Sequence, residues 1–127
     1  MMDYHEPVEE LQQQDRNFVR ALSSLKEEVE AIDWYHQRVA TCQDPQLKAI
    51  MAHNRDEEIE HACMTLEWLR RNMPGWDEEL RTYLFTSGDI TGLEEAGGEG
   101  EAQAEGAPEP SGTPGPQNGL GLGRLKR

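Results

Sequence analysis

A long apolar repeat near the start of the chain limits its possible folds more than any other pattern. Between positions 8 and 39, residues spaced alternately three and four apart are apolar at eight of ten positions. The ten are Val8, Leu11, Asp15, Phe18, Leu22, Leu25, Val29, Ile32, His36 and Val39. No glycine or proline interrupts this stretch after Pro7. Such spacing is typical of a single amphipathic helix, which we expect from about residue 7 to about residue 40.

A second helix is expected to fold back against the first one. Asp44 can cap a helix, and Pro45 then occupies the first helical position, where proline is preferred. Because only a short turn separates the two helices, we expect an antiparallel hairpin. The second helix should end at Asn72, and a short third helix should follow at residues 76–85. The predicted fold class is therefore all-α.

The composition changes past residue 91 and divides the chain into three parts. Residues 1–91 hold the predicted helical hairpin domain. Residues 92–119 are rich in Glu, Gly, Ala, Pro and Ser and have almost nothing to bury, so we expect a disordered linker. Residues 120–127 turn apolar and basic again. Three leucines at the end of a flexible tail indicate a docking peptide, with contacts at Leu120, Leu122 and Leu125.

The net charge of −13 limits the partners of the chain. Nucleic acid and anionic membrane surfaces attract basic proteins, so neither is an expected partner, whereas a cation is a natural ligand. No apolar run approaches the roughly 20 residues of a membrane span, and the polar N-terminus shows no signal peptide, so we expect a cytoplasmic protein. Cys42 and Cys63 lie 21 residues apart without a CxxC motif and are expected to be reduced.

The inward stripe of the second helix is polar in its middle, where a core would be apolar. Asn54, Glu58 and His61 lie on this stripe, and Glu58 and His61 form a Glu-x-x-His pair on one helix face. Burying such a row is unfavourable unless something compensates it, and a metal ion commonly does. Glu28 is expected on the inner side of the first helix, beside Val29.

Glu28 and Glu58 are predicted to lie at one level of the hairpin. Each is about 15 residues from the turn near residue 43, which is ~22 Å along a helix. Di-iron carboxylate proteins of the four-helix-bundle class use two Glu-x-x-His pairs and two further glutamates. With Glu28, Glu58 and His61 the chain offers half of this set, so we expect two copies to build one site for two iron ions. Because the carboxylates repel one another until cations neutralise them, dimerisation should depend on metal.

Other interpretations remain open on these residues alone. Glu28, Glu58 and His61 could form a solvated charged face, since runs of charge usually are solvated. The chain would then be a non-catalytic helical cargo or adaptor protein whose acidic cluster only gathers cations. Manganese or zinc could also occupy the site when iron is absent.

Five runs of sequence carry a resemblance to a known family. They are DWYHQRV at 33–39, AHNRDEE at 52–58, MTLEWLRR at 64–71, LRTYLFT at 80–86 and LGLGRL at 120–125. The first four closely resemble the encapsulated ferritins, and the last looks like the peptide that loads cargo into encapsulin shells. The resemblance implies a two-helix subunit that dimerises into a ferritin-like four-helix di-iron site. It also implies that the dimers form a decameric ring without a storage cavity.

The resemblance further implies an activity and the residues that perform it. The family oxidises Fe(II) to Fe(III) with dioxygen, a ferroxidase reaction, and the surrounding encapsulin shell stores the product. We therefore expect a ferroxidase inside an encapsulin nanocompartment. Carried over by position, the site residues are the ligands Glu28, Glu58 and His61, the metal-attraction residues Glu27 and Glu30, and the nearby aromatic residues Trp34 and Tyr35.

Overall fold

The structure is a computed structural model that describes residues 4–95. It contains a 3-10 turn at Val8–Glu10 and three α-helices, α1 at Gln13–Thr41, α2 at Pro45–Asn72 and α3 at Trp76–Tyr83. No β-strand occurs within the described range. The predicted all-α fold class is confirmed.

Helices α1 and α2 form the predicted antiparallel hairpin. Near the turn, His36 Nδ1 on α1 lies 3.2 Å from a guanidinium nitrogen of Arg55 on α2. Farther from the turn, an earlier residue of α1 meets a later residue of α2: the rings of Phe18 and Trp68 pack edge to face with centroids 6.2 Å apart. The two helices therefore run in opposite directions along one shared face.

The turn between the helices is built from the residues that predict it. Asp44 Oδ1 accepts a hydrogen bond from the backbone N–H of Leu47 at 3.0 Å, which caps α2. Pro45 occupies the first helical position, where its missing N–H leaves no intrahelical bond unmade. The bounds of α2 are those predicted from the sequence.

Helix α1 begins later than predicted. It starts at Gln13 rather than near residue 7, so the expectation of an unbroken helix from residue 7 is wrong. The guanidinium of Arg16 donates hydrogen bonds to the backbone carbonyls of Val8 and Leu11, at 2.7 and 3.2 Å. In a continuous helix these carbonyls would accept hydrogen bonds from backbone N–H groups one turn later. The bonds from Arg16 instead stabilise a separate 3-10 turn.

The hairpin buries little apolar surface by itself. Leu69 is the one fully buried hydrophobic residue in the range 4–95. Val29 of the heptad repeat is 53% exposed, and Ile50 and Met64 on α2 are 49% and 59% exposed. Removing apolar surface from water is favourable. Chains whose own hydrophobic core is small often bury more apolar surface by forming oligomers. The hairpin therefore has apolar surface available for a further contact.

Helix α3 is shorter than predicted and ends at Tyr83. Phe85 has a φ of 60°, a left-handed conformation that a bulky side chain rarely adopts, so the predicted continuation to residue 85 is wrong. The chain divides after Asp77 into two compact units, the first of which contains α1 and α2.

The predicted tail falls mostly beyond the described residues. Residues 92–95, the first four of the predicted linker, have helical backbone geometry. The remainder, 96–119, and the predicted docking peptide 120–127 with its three leucines lie outside the described range. In the described part of the chain, no helix combines the length and the apolar character needed to cross a membrane.

Candidate metal centre

Three side chains that the sequence predicts to act together lie side by side in the hairpin. One ligand atom each from Glu28, Glu58 and His61 can be chosen so that all three lie within 4.8 Å of one another. All three residues are half-buried. In residues 4–95 this is the one group of three or more His, Cys, Asp or Glu side chains with such spacing.

Each helix supplies part of the group. Glu58 and His61 lie three residues apart on α2 and share a face, with Glu58 Oε1 3.6 Å from His61 Nδ1. Glu28 reaches them from α1, at the level that equal distances from the turn predict. The hydroxyl of Thr65, one turn beyond His61, lies 3.5 Å from Glu28 Oε1 and connects this carboxylate to α2.

Neither glutamate of the group, Glu28 or Glu58, is paired with a lysine or arginine in the part of the chain that the structure describes. The side chains of Glu58 and His61 are 27% and 42% exposed, so water screens the negative charge only in part. Two neighbouring carboxylates without a lysine or arginine partner favour the binding of a cation.

Glu67, also on α2, has the opposite surroundings. Its carboxylate accepts hydrogen bonds from Arg70 Nε and Nη2 at 2.8 Å each and from Arg71 Nε at 2.7 Å, and Arg70 also pairs with Asp77. The bonds from Arg70 and then Arg71 lower the pKa of Glu67 from 4.5 to about 2. The bonds to Glu67 and then Asp77 raise the pKa of Arg70. The sequence reasoning missed this network, although spacings of three and four residues signal it.

Glu57, which the sequence analysis did not predict as a site residue, also lies beside the group. Its Oε1 lies 3.9 Å from Nε2 of His61, and its Oε2 lies 3.8 Å from Nε2 of His53. Each histidine is four residues from Glu57 along α2, so the helical spacing is again the signal that identifies it. The acidic character of the centre thus extends from His61 toward the exposed surface of α2.

The other predicted site residues on α1 lie outside the three-residue group. Glu27 and Glu30 are exposed and three residues apart, so they share the outer side of α1. Trp34, one turn beyond Glu30, is 51% exposed. Tyr35 is half-buried, and the guanidinium carbon of Arg38 lies 5.3 Å from the centroid of its ring.

The donor set of the group fits iron. Carboxylate oxygens and imidazole nitrogens are the ligands of di-iron carboxylate proteins, in which two Glu-x-x-His pairs and two further glutamates make up the set. Glu28, Glu58 and His61 supply one pair and one further glutamate, and their ligand atoms are close enough to converge on one ion after small side-chain movements. The three residues thus match half of that donor set.

Comparisons with known proteins identify similar chains. The family model described as EncFtn-like matches residues 3–87. The chain is 70% identical over 92 residues to a "Ferritin-like protein" of Thermotoga maritima, covering 72% of this chain and 81% of that protein. It is 61% identical over 97 residues to an "Encapsulated ferritin-like protein" of Rhodospirillum rubrum, covering 76% of this chain and 69% of that protein.

A solved structure has a similar fold. The crystal structure of protein ne0167 from Nitrosomonas europaea is 57% identical in sequence and superposes with a TM-score of 0.67. The similarity covers 68% of this chain and 96% of that one. The helical arrangement described above is therefore shared with an experimentally determined protein.

Proposed function

This chain belongs to the EncFtn-like family of encapsulated ferritin-like proteins, and on that premise we propose that it is a ferroxidase, which oxidises Fe(II) to Fe(III) with dioxygen. The observation that carries the proposal is the group of Glu28, Glu58 and His61, whose ligand atoms lie within 4.8 Å of one another. Iron is the substrate of this reaction.

The proposed site is shared by two copies of the chain. A two-fold axis beside the group would add Glu28, Glu58 and His61 of a second copy and complete a six-ligand centre for two iron ions. The exposed apolar surface next to the group supports this arrangement. Met64 and Trp68, three and seven residues beyond His61, are 59% and 37% exposed in the single chain. Contact with a second copy would remove this surface from water.

Each side chain of the group has a role toward the iron substrate. Glu28 and Glu58 offer oxygen ligands whose negative charge offsets the positive charge that increases when Fe(II) loses an electron. His61 offers a nitrogen ligand that fixes the geometry at the metal. Two ions bound at one centre can together deliver two electrons to one dioxygen molecule. The half-buried position leaves a route from solvent to the group.

We propose that Glu27 and Glu30 form a metal-attraction site on the outer side of α1. Both carboxylates are exposed, and a pair on one helix face raises the local concentration of cations. Trp34, which is half-exposed one turn beyond Glu30, and Tyr35 are the aromatic residues proposed to lie near this route. Neither aromatic residue is proposed as a ligand.

The proposed ferroxidase works as part of a larger assembly. The dimers are proposed to form a ring-shaped decamer that passes Fe(III) on for storage as mineral inside an encapsulin nanocompartment in the cytoplasm. The name of the Rhodospirillum rubrum relative, "Encapsulated ferritin-like protein", supports this location. Residues 120–127 are the proposed loading peptide, in which Leu120, Leu122 and Leu125 would fill apolar pockets of the shell protein.

The oxidation proposal can be tested against a simple cation-gathering role. Anaerobic protein is mixed with fewer Fe(II) ions than two per pair of chains, air is admitted, and ferric absorbance is followed. A ferroxidase should give a fast rise that saturates as iron approaches two ions per pair. A cation-gathering adaptor would show only the slow rate of Fe(II) in buffer, and that result would overturn the proposal.

The loading peptide can be tested separately from the oxidation. A chain that lacks residues 119–127 keeps every group assigned to iron, so it should oxidise Fe(II) at the full rate. When co-expressed with an encapsulin shell protein, it should not be packaged. The matched control grafts residues 119–127 onto an unrelated protein, which should then be packaged. Packaging of the shortened chain, or no packaging of the graft, would refute the role of the tail.

A further inference from the structure

Thr65 differs from two other helical threonines in the partner of its hydroxyl group. Thr41 and Thr82 donate to the backbone carbonyl four residues earlier in the chain, at 3.1 and 3.0 Å. This local bond is common for threonine in a helix. The hydroxyl of Thr65 instead lies 3.5 Å from Glu28 Oε1, across the hairpin. Its polar contact therefore joins two helices rather than two turns of one helix.

The chemistry of this contact fixes which group donates. An ionised carboxylate can only accept, and a threonine hydroxyl has one hydrogen to give, so Thr65 donates and Glu28 accepts. The bond is made to Oε1 of Glu28, and the carboxylate keeps further lone pairs for a metal ion. At 3.5 Å the contact is longer than the ~2.7–2.8 Å usual for hydroxyl donors, so it has room to tighten as Glu28 settles into a ligand position.

The position of Thr65 suits it to orient Glu28 relative to His61. Thr65 lies one turn beyond His61 on the same side of α2 and is half-buried. Glu28 has a long side chain, and holding it in one conformation costs rotamer entropy. A donor on the partner helix restrains that carboxylate before the metal arrives, which leaves less of this entropy to be lost on binding.

We propose that Thr65 is a positioning residue of the metal centre, which holds the Glu28 carboxylate beside Glu58 and His61 without itself binding the metal. The inference rests on the proposed function and adds to it a residue outside the ligand set. Partners that orient metal ligands typically change metal affinity 10–100-fold when they are removed. In a two-fold centre, Thr65 of each copy would restrain one of the two Glu28 carboxylates.

The test compares Co(II) binding by four full-length variants with binding by the wild type. Thr65→Val keeps the branched shape and removes the hydroxyl, whereas Thr65→Ser keeps the hydroxyl and removes the methyl group. Thr65→Ala removes both and guards against a misfolded valine variant. Thr41→Val is the matched control, since it removes a hydroxyl that bonds only within its own helix. Visible absorbance reports both affinity and coordination geometry, and circular dichroism reports helix content.

The expected result is that Thr65→Val and Thr65→Ala bind Co(II) about tenfold more weakly with an altered absorption band. Thr65→Ser and Thr41→Val should retain the affinity and spectrum of the wild type, and all variants should keep their helix content. Equal binding by Thr65→Val and wild type would overturn the inference, as would equal losses in the serine and valine variants. Absence of Co(II) binding by the wild type would overturn the metal centre itself together with this inference.

Discussion

Two glutamates of α2 show how one residue type takes on two different roles. Glu67 accepts three hydrogen bonds from Arg70 and Arg71, which lower its pKa to about 2. Glu58, nine residues earlier, pairs with no arginine or lysine in the described part of the chain, and its Oε1 lies 3.6 Å from Nδ1 of His61. The carboxylate of Glu67 is thus paired with two arginines, whereas the carboxylate of Glu58 keeps its charge and lone pairs available.

The difference follows from the residue three positions later. Glu67 is followed at that distance by Arg70, whose guanidinium is always charged and can only donate. Glu58 is followed by His61, and an imidazole nitrogen can offer a lone pair to a metal. Both pairs share the same helical geometry. The residue three positions after each glutamate therefore decides whether the carboxylate is paired within the helix or can bind a cation.

The largest effect should come from giving Glu58 the kind of partner that Glu67 has. His61→Arg replaces a possible metal ligand with a guanidinium that can pair with Glu58, so fast iron oxidation should fall to the rate of Fe(II) in buffer. Glu28→Ala and Glu58→Ala should have the same effect, since each removes two ligands from a two-fold centre. Helix content by circular dichroism should persist.

The matched control for this substitution is His53→Arg, which changes a histidine whose side chain is 71% exposed on the same helix. It should oxidise iron at the wild-type rate. Fast oxidation by the His61→Arg protein would show that Glu58 and His61 do not bind the iron substrate, and the contrast with Glu67 would then have no functional meaning.

A smaller effect is expected on assembly, because glutamates without a basic partner should make the size of the oligomer depend on metal. Uncompensated glutamates from two copies repel one another at a shared centre until a cation neutralises them. Light scattering on a sizing column should therefore show larger oligomers with Fe(II) than with chelator. The His61→Arg protein should keep its chelated size when Fe(II) is added. One size for the wild type under both conditions, at every concentration, would rule out metal-driven assembly.

Substitutions on the outer side of α1 should have a milder effect than changes to the ligands. Glu27→Ala or Glu30→Ala removes charge from the proposed metal-attraction site but leaves Glu28, Glu58 and His61 in place. Oxidation should slow several-fold when iron is scarce and return to the full rate when iron is saturating. A loss that persists at saturating iron would place these residues in the centre itself.

The smallest effect should come from Glu67, because exposed ion pairs contribute little to stability. Glu67→Gln should lower the melting temperature at pH 7 by a few degrees at most and leave iron oxidation unchanged. Because the folded-state pKa of Glu67 is depressed to about 2, its contribution is fully present above pH 4.5 and disappears as the pH falls through 2. The difference in melting temperature between variant and wild type should therefore be full above pH 4.5 and disappear as the pH falls through 2.

The control for this prediction is Glu60→Gln, which removes an exposed carboxylate of the same helix that has no salt bridge to arginine among the described residues. It should leave the melting temperature unchanged at every pH. An equal effect of both substitutions would show that the bonds from Arg70 and Arg71 do not stabilise the fold.

Local patterns predicted most of the hairpin. Asp44 and Pro45 are adjacent in sequence, and the cap that they form needs no other part of the chain, so the start of α2 was predictable to the residue. The periodicity missed the start of α1, where Asp15 accepts a hydrogen bond from the backbone N–H of Gln12 at 3.2 Å and Arg16 reaches back to the carbonyl of Val8, eight residues away. Helical periodicity cannot detect a side-chain bond of that kind.

The candidate centre was predictable because it follows from two regular helices. The equal distances of Glu28 and Glu58 from the turn depend only on the rise per residue, and the pairing of Glu58 with His61 depends only on the helical repeat. The contact from Thr65 to Glu28 was not predictable, since it depends on the rotation of both helices and on side-chain conformations. Those are set by packing across the hairpin rather than by spacing along it.

The proposed shared metal centre can be examined directly by growing crystals with Fe(II) under anaerobic conditions and measuring anomalous scattering on both sides of the iron absorption edge. The expected result is a pair of iron peaks related by a two-fold axis, each within bonding distance of Glu28, Glu58 and His61 side chains, and no peak beside Glu67. Iron bound elsewhere, or bound by the three residues of a single chain without a second copy, would contradict a centre built from two halves.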